Sequence, residues 1–484
     1  MRRVLAAVLA LTTVLLLGAC GQAVPPQPQR ADAKHPNIVF VLTDDLSMNL
    51  VQHMPELQRM QTAGRTLDHY YVVDSLCCPS RASIFTGDYP HDTGVFTNWG
   101  SDGGIEAFHR YGDQHRCFAT ALQKAGYRTA FMGKYLNGYT PQTMGPEPGW
   151  DDWVVGGAGG YRELGYSLNE NGTVRHYGRK PSDYMVDVLS RKAAGFIRDS
   201  ASTDRAFMLE VATYAPHDPF VPPARYRGTM AHVPYPRTAA YDAEVRDAPR
   251  WLKGHAPLRP AEERLIRSDW ERRLEADLAV DDLLTNLRRT IAQQGIQRDT
   301  YVVFSSDNGL HMGEYRLTPG KETAFDTDVH VPLVVTGPGV PAGTHSSAIA
   351  SSIDLAPTFR DLAGAGQDPR QDGASLAASW HGHESTDPQR GVLIEHHHRE
   401  GVPEDPDLQN ARSADPPAYD AVRTADALLV EYADGEQEYY DTTKDPDELV
   451  NRAKEGVPAG LTRMLHALRT CSGARDCAAA ARTG

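Results

Sequence analysis

Residues 38–42 are five apolar residues in a row, Ile-Val-Phe-Val-Leu. A run that short and continuous reads as a strand buried on both faces, as in a parallel sheet. Polar residues end it at once, in Thr43-Asp44-Asp45. The same figure recurs along the chain. Residues 128–132 predict a strand running into Gly133-Lys134, and 206–213 one running into Tyr214-Ala215-Pro216-His217-Asp218-Pro219. Residues 301–304 predict a third, running into Ser305-Ser306-Asp307-Asn308-Gly309. Short strands are expected at 70–73 and 331–335. Between the strands, 55–63, 118–125, 184–197, 261–294 and 353–362 read as helices, and Gly295 closes the longest. This alternation predicts an α/β fold, a mostly parallel sheet sandwiched by helices. Ligands of such sheets bind beyond the carboxyl ends of the strands. Every polar cluster just named stands at such an end.

The pattern changes near residue 391. Short strands at 391–395, 419–424, 427–432 and 438–440 follow with no long helix between them. They predict a small C-terminal antiparallel α+β subdomain, closed by a helix over 460–468. The acidic, proline-bearing stretch 400–417 reads as a surface loop. No internal repeat is visible.

The N-terminus reads as an export signal: Arg2-Arg3, an apolar run over 4–17, then Gly18-Ala19. The run is shorter than the roughly 20 residues of a membrane helix. Leu17-Gly18-Ala19-Cys20 resembles a bacterial lipobox, in which Cys20 would be lipidated and tie the chain to a membrane. Pro25, Pro26, Pro28 and Pro36 make 21–36 a tether. The expected organisation is therefore signal 1–20, tether 21–36, catalytic domain 37–375, C-terminal subdomain 376–470 and tail 471–484. With 484 residues, 40% of them hydrophobic, the chain has ample core. Its net charge of −14 leaves no basic footprint for nucleic acid. It also disfavours long polyanionic substrates at a distance, unless a local basic pocket overrides the field. Of the six cysteines, Cys471 and Cys477 are expected to pair in an oxidising compartment, and Cys78 and Cys117 to be separate buried thiols.

Candidate chemistry centres on Cys77-Cys78-Pro79-Ser80-Arg81, continuing to Phe85-Thr86-Gly87. A thiol stands just before a helix that Pro79 is expected to start. Arg81 leans back toward it, and the free amides of the helix end favour an anion. Asp44, Asp45, Asp307 and Asn308 offer only hard oxygen ligands, which suit Ca²⁺ slightly better than Mg²⁺ and both better than softer metals. Taken singly, such residues are usually caps or turns. Lys134 and Lys321 follow glycines near strand ends and are candidate anion ligands. His217 is the candidate acid or base.

Together these motifs resemble the type I sulfatases. The resemblance runs from residue 37 to about 451 and includes Ile353-Asp354-Leu355-Ala356-Pro357-Thr358 and Tyr440-Asp441…Asp445-Pro446-Asp447-Glu448…Asn451. It implies an alkaline-phosphatase-like fold and the oxidation of Cys77 to formylglycine by a formylglycine-generating enzyme. It further implies a metal held by Asp44, Asp45, Cys77, Asp307 and Asn308, and sulfate contacts from Arg81, Lys134 and Lys321. One hydroxyl of the aldehyde hydrate would attack sulfur, His217 would protonate the leaving alcohol, and the second hydroxyl would expel sulfate. The expected function is hydrolysis of sulfate monoesters of small molecules or glycans by an exported cell-surface or periplasmic lipoprotein. Many sulfatases carry a histidine two residues after the lysine; here it is Leu136. Gly-Lys-Tyr-Leu-Asn instead looks like the glucosamine-6-sulfatases, which points to amino-sugar 6-sulfates, with aryl sulfates as the other choice. Asn137 or His91 would have to stand in, and His91 reads as structural. His396-His397-His398 reads as a solvated loop or an adventitious metal site. Two other functions fit the same residues: phosphonate or phosphodiester hydrolysis, and sulfoglycan binding without turnover.

Overall fold

A computed structural model describes residues 35–383, 390–398, 405 and 407–483. Its main sheet has ten strands: β1 (Asn37–Thr43), β2 (Arg65–Tyr71), β3 (Arg128–Lys134), β4 (Asp152–Gly156), β5 (Tyr166–Glu170), β6 (Thr173–Tyr177), β7 (Phe207–Ala212), β8 (Thr300–Ser306), β9 (Val334–Thr336) and β10 (Thr344–Ser351). They lie in the order β10-β2-β9-β8-β1-β7-β3-β4-β5-β6. β8, β1, β7, β3 and β4 are parallel neighbours, as are β10 and β2. β9 breaks the pattern, pairing antiparallel with both β2 and β8. The 331–335 strand expected from sequence is thus short and reversed. Apolar content announces a strand but does not encode its direction.

β1 is buried along its whole length because its alternate residues serve two cores. Ile38, Phe40 and Leu42 face one apolar layer, and Val39 and Val41 the other. Burying each such side chain contributes about 1.5–3 kcal/mol, so the register of this strand is strongly fixed. The Pro260–Gln293 helix packs on the second layer through Ile266, Trp270, Leu274, Leu283 and Leu287.

A second, four-stranded antiparallel sheet holds β11 (Val392–His396), β12 (Tyr419–Arg423), β13 (Ala427–Tyr432) and β14 (Gln437–Asp441). The Ala459–Leu468 helix packs on it. The tail is more than an extension. It forms a helix, Ala474–Ala480, whose Cys477 is bonded to Cys471 and buried. Cys78 and Cys117 are separate buried thiols, as expected. Among the described residues, no helix is long and apolar enough to cross a membrane. The expected signal and most of the tether lie outside the described residues.

Candidate active site

Four neighbouring strands, β8, β1, β7 and β3, end side by side. β1 leads directly into Asp44 and Asp45, β8 into Asp307 and Asn308, β7 into the turn bearing His217, and β3 ends on Lys134. β1 and β8 are in register through Thr43 and Ser306, so their acidic pairs start level. Gly133 explains how Lys134 is presented. A Cβ there would lie 1.8 Å from the Ala212 carbonyl oxygen, and φ is +115°, so only glycine lets β3 run against β7 at this point.

Cys77 comes off β2 and is the first residue of the Cys77–Thr86 helix, not the residue before it. Pro79 is therefore third in the helix rather than first. It is still tolerated, because the first N–H groups have no partner within a helix. Gly87 ends the helix with a φ of 81°, as expected.

The side chains converge. The Cys77 thiol lies 3.2 Å from Asp44 Oδ1 and 2.9 Å from Lys321 Nζ. Lys321 donates to Asp45 at 2.7 Å, and Lys134 to Asp44 at 2.6 Å. Arg81 is mainly a strut: Nε donates to Asp307 at 2.7 Å and Nη1 to the Lys134 carbonyl at 2.7 Å. Its Nη2 makes no hydrogen bond and lies 3.9 Å from Asp44. None of the ten residues Asp44, Asp45, Cys77, Arg81, Lys134, His217, Asp307, Asn308, Lys321 and Asp407 is more than 4% exposed.

The last of these, Asp407, was not expected here. The reading of 400–417 as a surface loop is wrong for Asp405 and Asp407, which are buried. Asp407 Oδ1 accepts from His217 Nε2 at 2.7 Å and lies 2.8 Å from Lys321 Nζ. Oδ2 accepts from Asn98 at 2.8 Å. Asn98 was also missed; its side-chain Oδ1 accepts the Cys78 N–H at 2.9 Å. Neither residue carries a spacing or motif that marks it. The ring of Tyr161 completes the wall, 4.9 Å from Lys134 Nζ and 4.5 Å from the His217 ring.

The sulfatase family matches residues 36–365, and the N-sulphoglucosamine sulphohydrolase C-terminal family matches residues 313–470. The chain belongs to the sulfatase family. Human N-acetylglucosamine-6-sulfatase is 31% identical over 478 residues, which covers 92% of this chain and 86% of that protein. BT4656, solved with its substrate D-glucosamine-2-N,6-O-disulfate, superimposes with a TM-score of 0.74 at 22% identity, over 93% of this chain and 99% of that one. A phosphonate monoester hydrolase from Silicibacter pomeroyi gives 0.69 at 22%, over 90% and 96%. These two likenesses speak for a shared fold, the alkaline-phosphatase-like one expected from sequence.

This sulfatase has a donor set that fits the metal its family implies. Single ligand atoms of Asp44, Asp45, Cys77 and His217 lie within 4.8 Å of one another, and since both His217 ring nitrogens face acceptors, the carboxylate oxygens are the donors that fit. The Asn308 Oδ1 beside them is buried and has no partner. Clustered buried carboxylates need compensating positive charge, and hard oxygens favour Ca²⁺ or Mg²⁺.

Burial, then Asp407 and Asp44, push the Cys77 thiol well above its usual range, so it is neutral and weakly nucleophilic. Burial alone would lower Lys321, but Asp407 and Asp45 hold it well above its usual range, and Asp44 does the same for Lys134. His217 Nδ1 faces the Asp218 carbonyl at 2.6 Å and Nε2 faces Asp407. Both neighbours only accept, so both ring nitrogens carry hydrogen and the ring is a cation. Burial lowers its pKa, but Asp45, Asp407 and Asp44 carry it up to about 9.

Of the other sequence candidates, His91 is engaged away from this cluster. His91 pairs with Glu395 at 2.9 Å and the Cys471 carbonyl at 2.8 Å. Asn137 is buried, with Oδ1 unpartnered. The reading of the three histidines as a solvated loop holds for His397 and His398, which are half-exposed, but not for His396. His396 is buried at the end of β11, and His397 stacks on Phe96 at 3.6 Å.

Proposed function

We propose that this sulfatase hydrolyses amino-sugar 6-sulfate monoesters, with Cys77 converted after synthesis to formylglycine and Ca²⁺ held by Asp44, Asp45, Asp307 and Asn308. The observation that carries the proposal is the position of the Cys77 side chain. It stands at a helix N-terminus between a buried acid cluster and two buried lysines. The hydrated aldehyde supplies an oxygen nucleophile where a neutral thiol offers little, and the cation lowers the pKa of that oxygen.

The chain's own residues do the rest. Lys134, Lys321 and Arg81 Nη2 hold the sulfate oxygens and neutralise charge as it grows on them. His217, protonated at Nε2, gives its proton to the departing sugar oxygen. Tyr161 closes the wall behind Lys134 and keeps water from that side. The sugar class is favoured by the relative named N-acetylglucosamine-6-sulfatase and by the glucosamine disulfate bound to BT4656.

The test offers metal-loaded protein from its native host three substrates: glucosamine 6-sulfate, an aryl sulfate and a phosphonate monoester. Highest kcat/KM on the sugar sulfate is expected, and preference for the phosphonate would contradict the reading. We place the protein outside the cytoplasm, anchored through lipidated Cys20. A Cys20→Ser protein should leave the membrane fraction; its retention there would count against the anchor.

A further inference from the structure

We propose that Asp407 is a placeholder for sulfate, so that each incoming ester must exchange its sulfate group for the Asp407 carboxylate. The inference rests on the reading of Lys321, Lys134 and His217 as the groups that meet the substrate.

One oxygen of Asp407, Oδ1, bridges Lys321 Nζ and His217 Nε2. These are the cation assigned to the sulfate and the proton assigned to the leaving oxygen. While the carboxylate stays, neither is available to an ester. The other oxygen takes the Asn98 amide and lies 3.6 Å from Cys77 Sγ, beside the reacting atom. A carboxylate that merely oriented the histidine would bind the ring nitrogen facing away from the chemistry. That nitrogen, Nδ1, is held instead by the Asp218 carbonyl.

A sulfate monoester carries one negative charge, as the Asp407 carboxylate does, so it can take over the same donors, Lys321 Nζ and His217 Nε2. Adding it beside Asp407 would set two anions on those donors at close range.

The chain after Asp407 is pinned. Ser413 accepts from His311 Nε2 at 2.5 Å, Arg412 accepts from Thr318 N at 2.7 Å, and Arg412 pairs with Glu262 at 3.1 Å. Asp407 N donates to Asp405 at 2.9 Å. The anchored backbone leaves the exchange to a swing of the Asp407 side chain.

The test compares wild-type enzyme with Asp407→Asn and Asp407→Ser, all metal-loaded, with thermal unfolding as a check on folding. Calorimetry measures the binding of inorganic sulfate, and kinetics on one sulfate ester separate KM from kcat. The placeholder predicts sulfate binding tighter by roughly tenfold or more in both variants, with a lower KM. Unchanged or weaker sulfate binding would overturn it. A fall in kcat with sulfate binding unchanged would make Asp407 a positioning residue for His217 instead. If none of the three folded proteins bound sulfate, the sulfate-holding role of the cations would fall first, and this inference with it.

Discussion

His217 and His91 are wired alike. Each gives one ring hydrogen to a buried carboxylate, Asp407 or Glu395, and the other to a backbone carbonyl, Asp218 or Cys471. Each is carried up to about 9 by those partners against the pull of burial. What surrounds them differs. Around His217 stand Cys77, two lysines and an acid cluster with an unpartnered amide oxygen. Around His91 stand a stacked Tyr89 ring and the disulfide-closed tail, so the residue ties the Pro90–Thr93 turn to β11 and Cys471. A charged buried histidine therefore does not mark a site. What sets the candidate site apart is the convergence of a buried cysteine, two buried lysines and clustered carboxylates at the strand ends.

The comparison breaks first at Cys77. Cys77→Ala should lower sulfate release by roughly 10⁴-fold or more, while the protein unfolds at the wild-type temperature; residual turnover near wild type would remove the nucleophile from this position. Chelation of divalent metal should likewise stop turnover, with Ca²⁺ restoring it; full activity in chelator would refute the metal assignment. Next come the two histidines. His217→Ala should lower kcat on a sugar sulfate by roughly 10²–10⁴-fold and much less on an aryl sulfate, whose leaving group needs no proton. His91→Ala should leave kcat within roughly twofold and act on stability, costing about 1–3 kcal/mol for the charged partner left buried. Equal kinetic losses in the two variants would erase the distinction drawn here.

The smallest effect is in pH dependence, and it separates the pair again. His217 donates only when protonated, so turnover of the sugar sulfate should fall as pH rises past the His217 pKa, which the neighbouring carboxylates raise above the ordinary 6.5. His91 has a folded value above its ordinary 6.5. Its stabilisation is complete below about 6.5 and is lost as pH rises through about 9. Wild-type Tm should decline across that window and His91→Gln should flatten the decline. A flat wild-type profile would mean His91 is neutral in the fold.

Most of the site was legible because each strand hands its chemistry straight to the next few residues. An apolar run followed by Asp44-Asp45, by Lys134 or by Asp307-Asn308 announces both the strand and its polar end. Asp407 was illegible for the opposite reason. It enters from an acidic, proline-bearing stretch with no periodicity, and only the packing of Arg412 and Ser413 against the main domain brings it inward. The β5–β6 hairpin was also missed: β6 is exposed along most of its length and shows no buried face to read. The tail helix was missed because its alanines carry little amphipathic signal, and its burial depends on the disulfide and on Asp372 receiving the Gly473 N–H at 2.7 Å.

The central claim is that Cys77 is not a cysteine in the working enzyme. Mass spectrometry of the peptide spanning Cys77, from protein made in its native host, tests it most directly. The account predicts a peptide that has lost H₂S and gained one oxygen, the change from thiol to aldehyde, in the same sample that turns over the sugar sulfate. An intact thiol in protein that still hydrolyses the ester would contradict it.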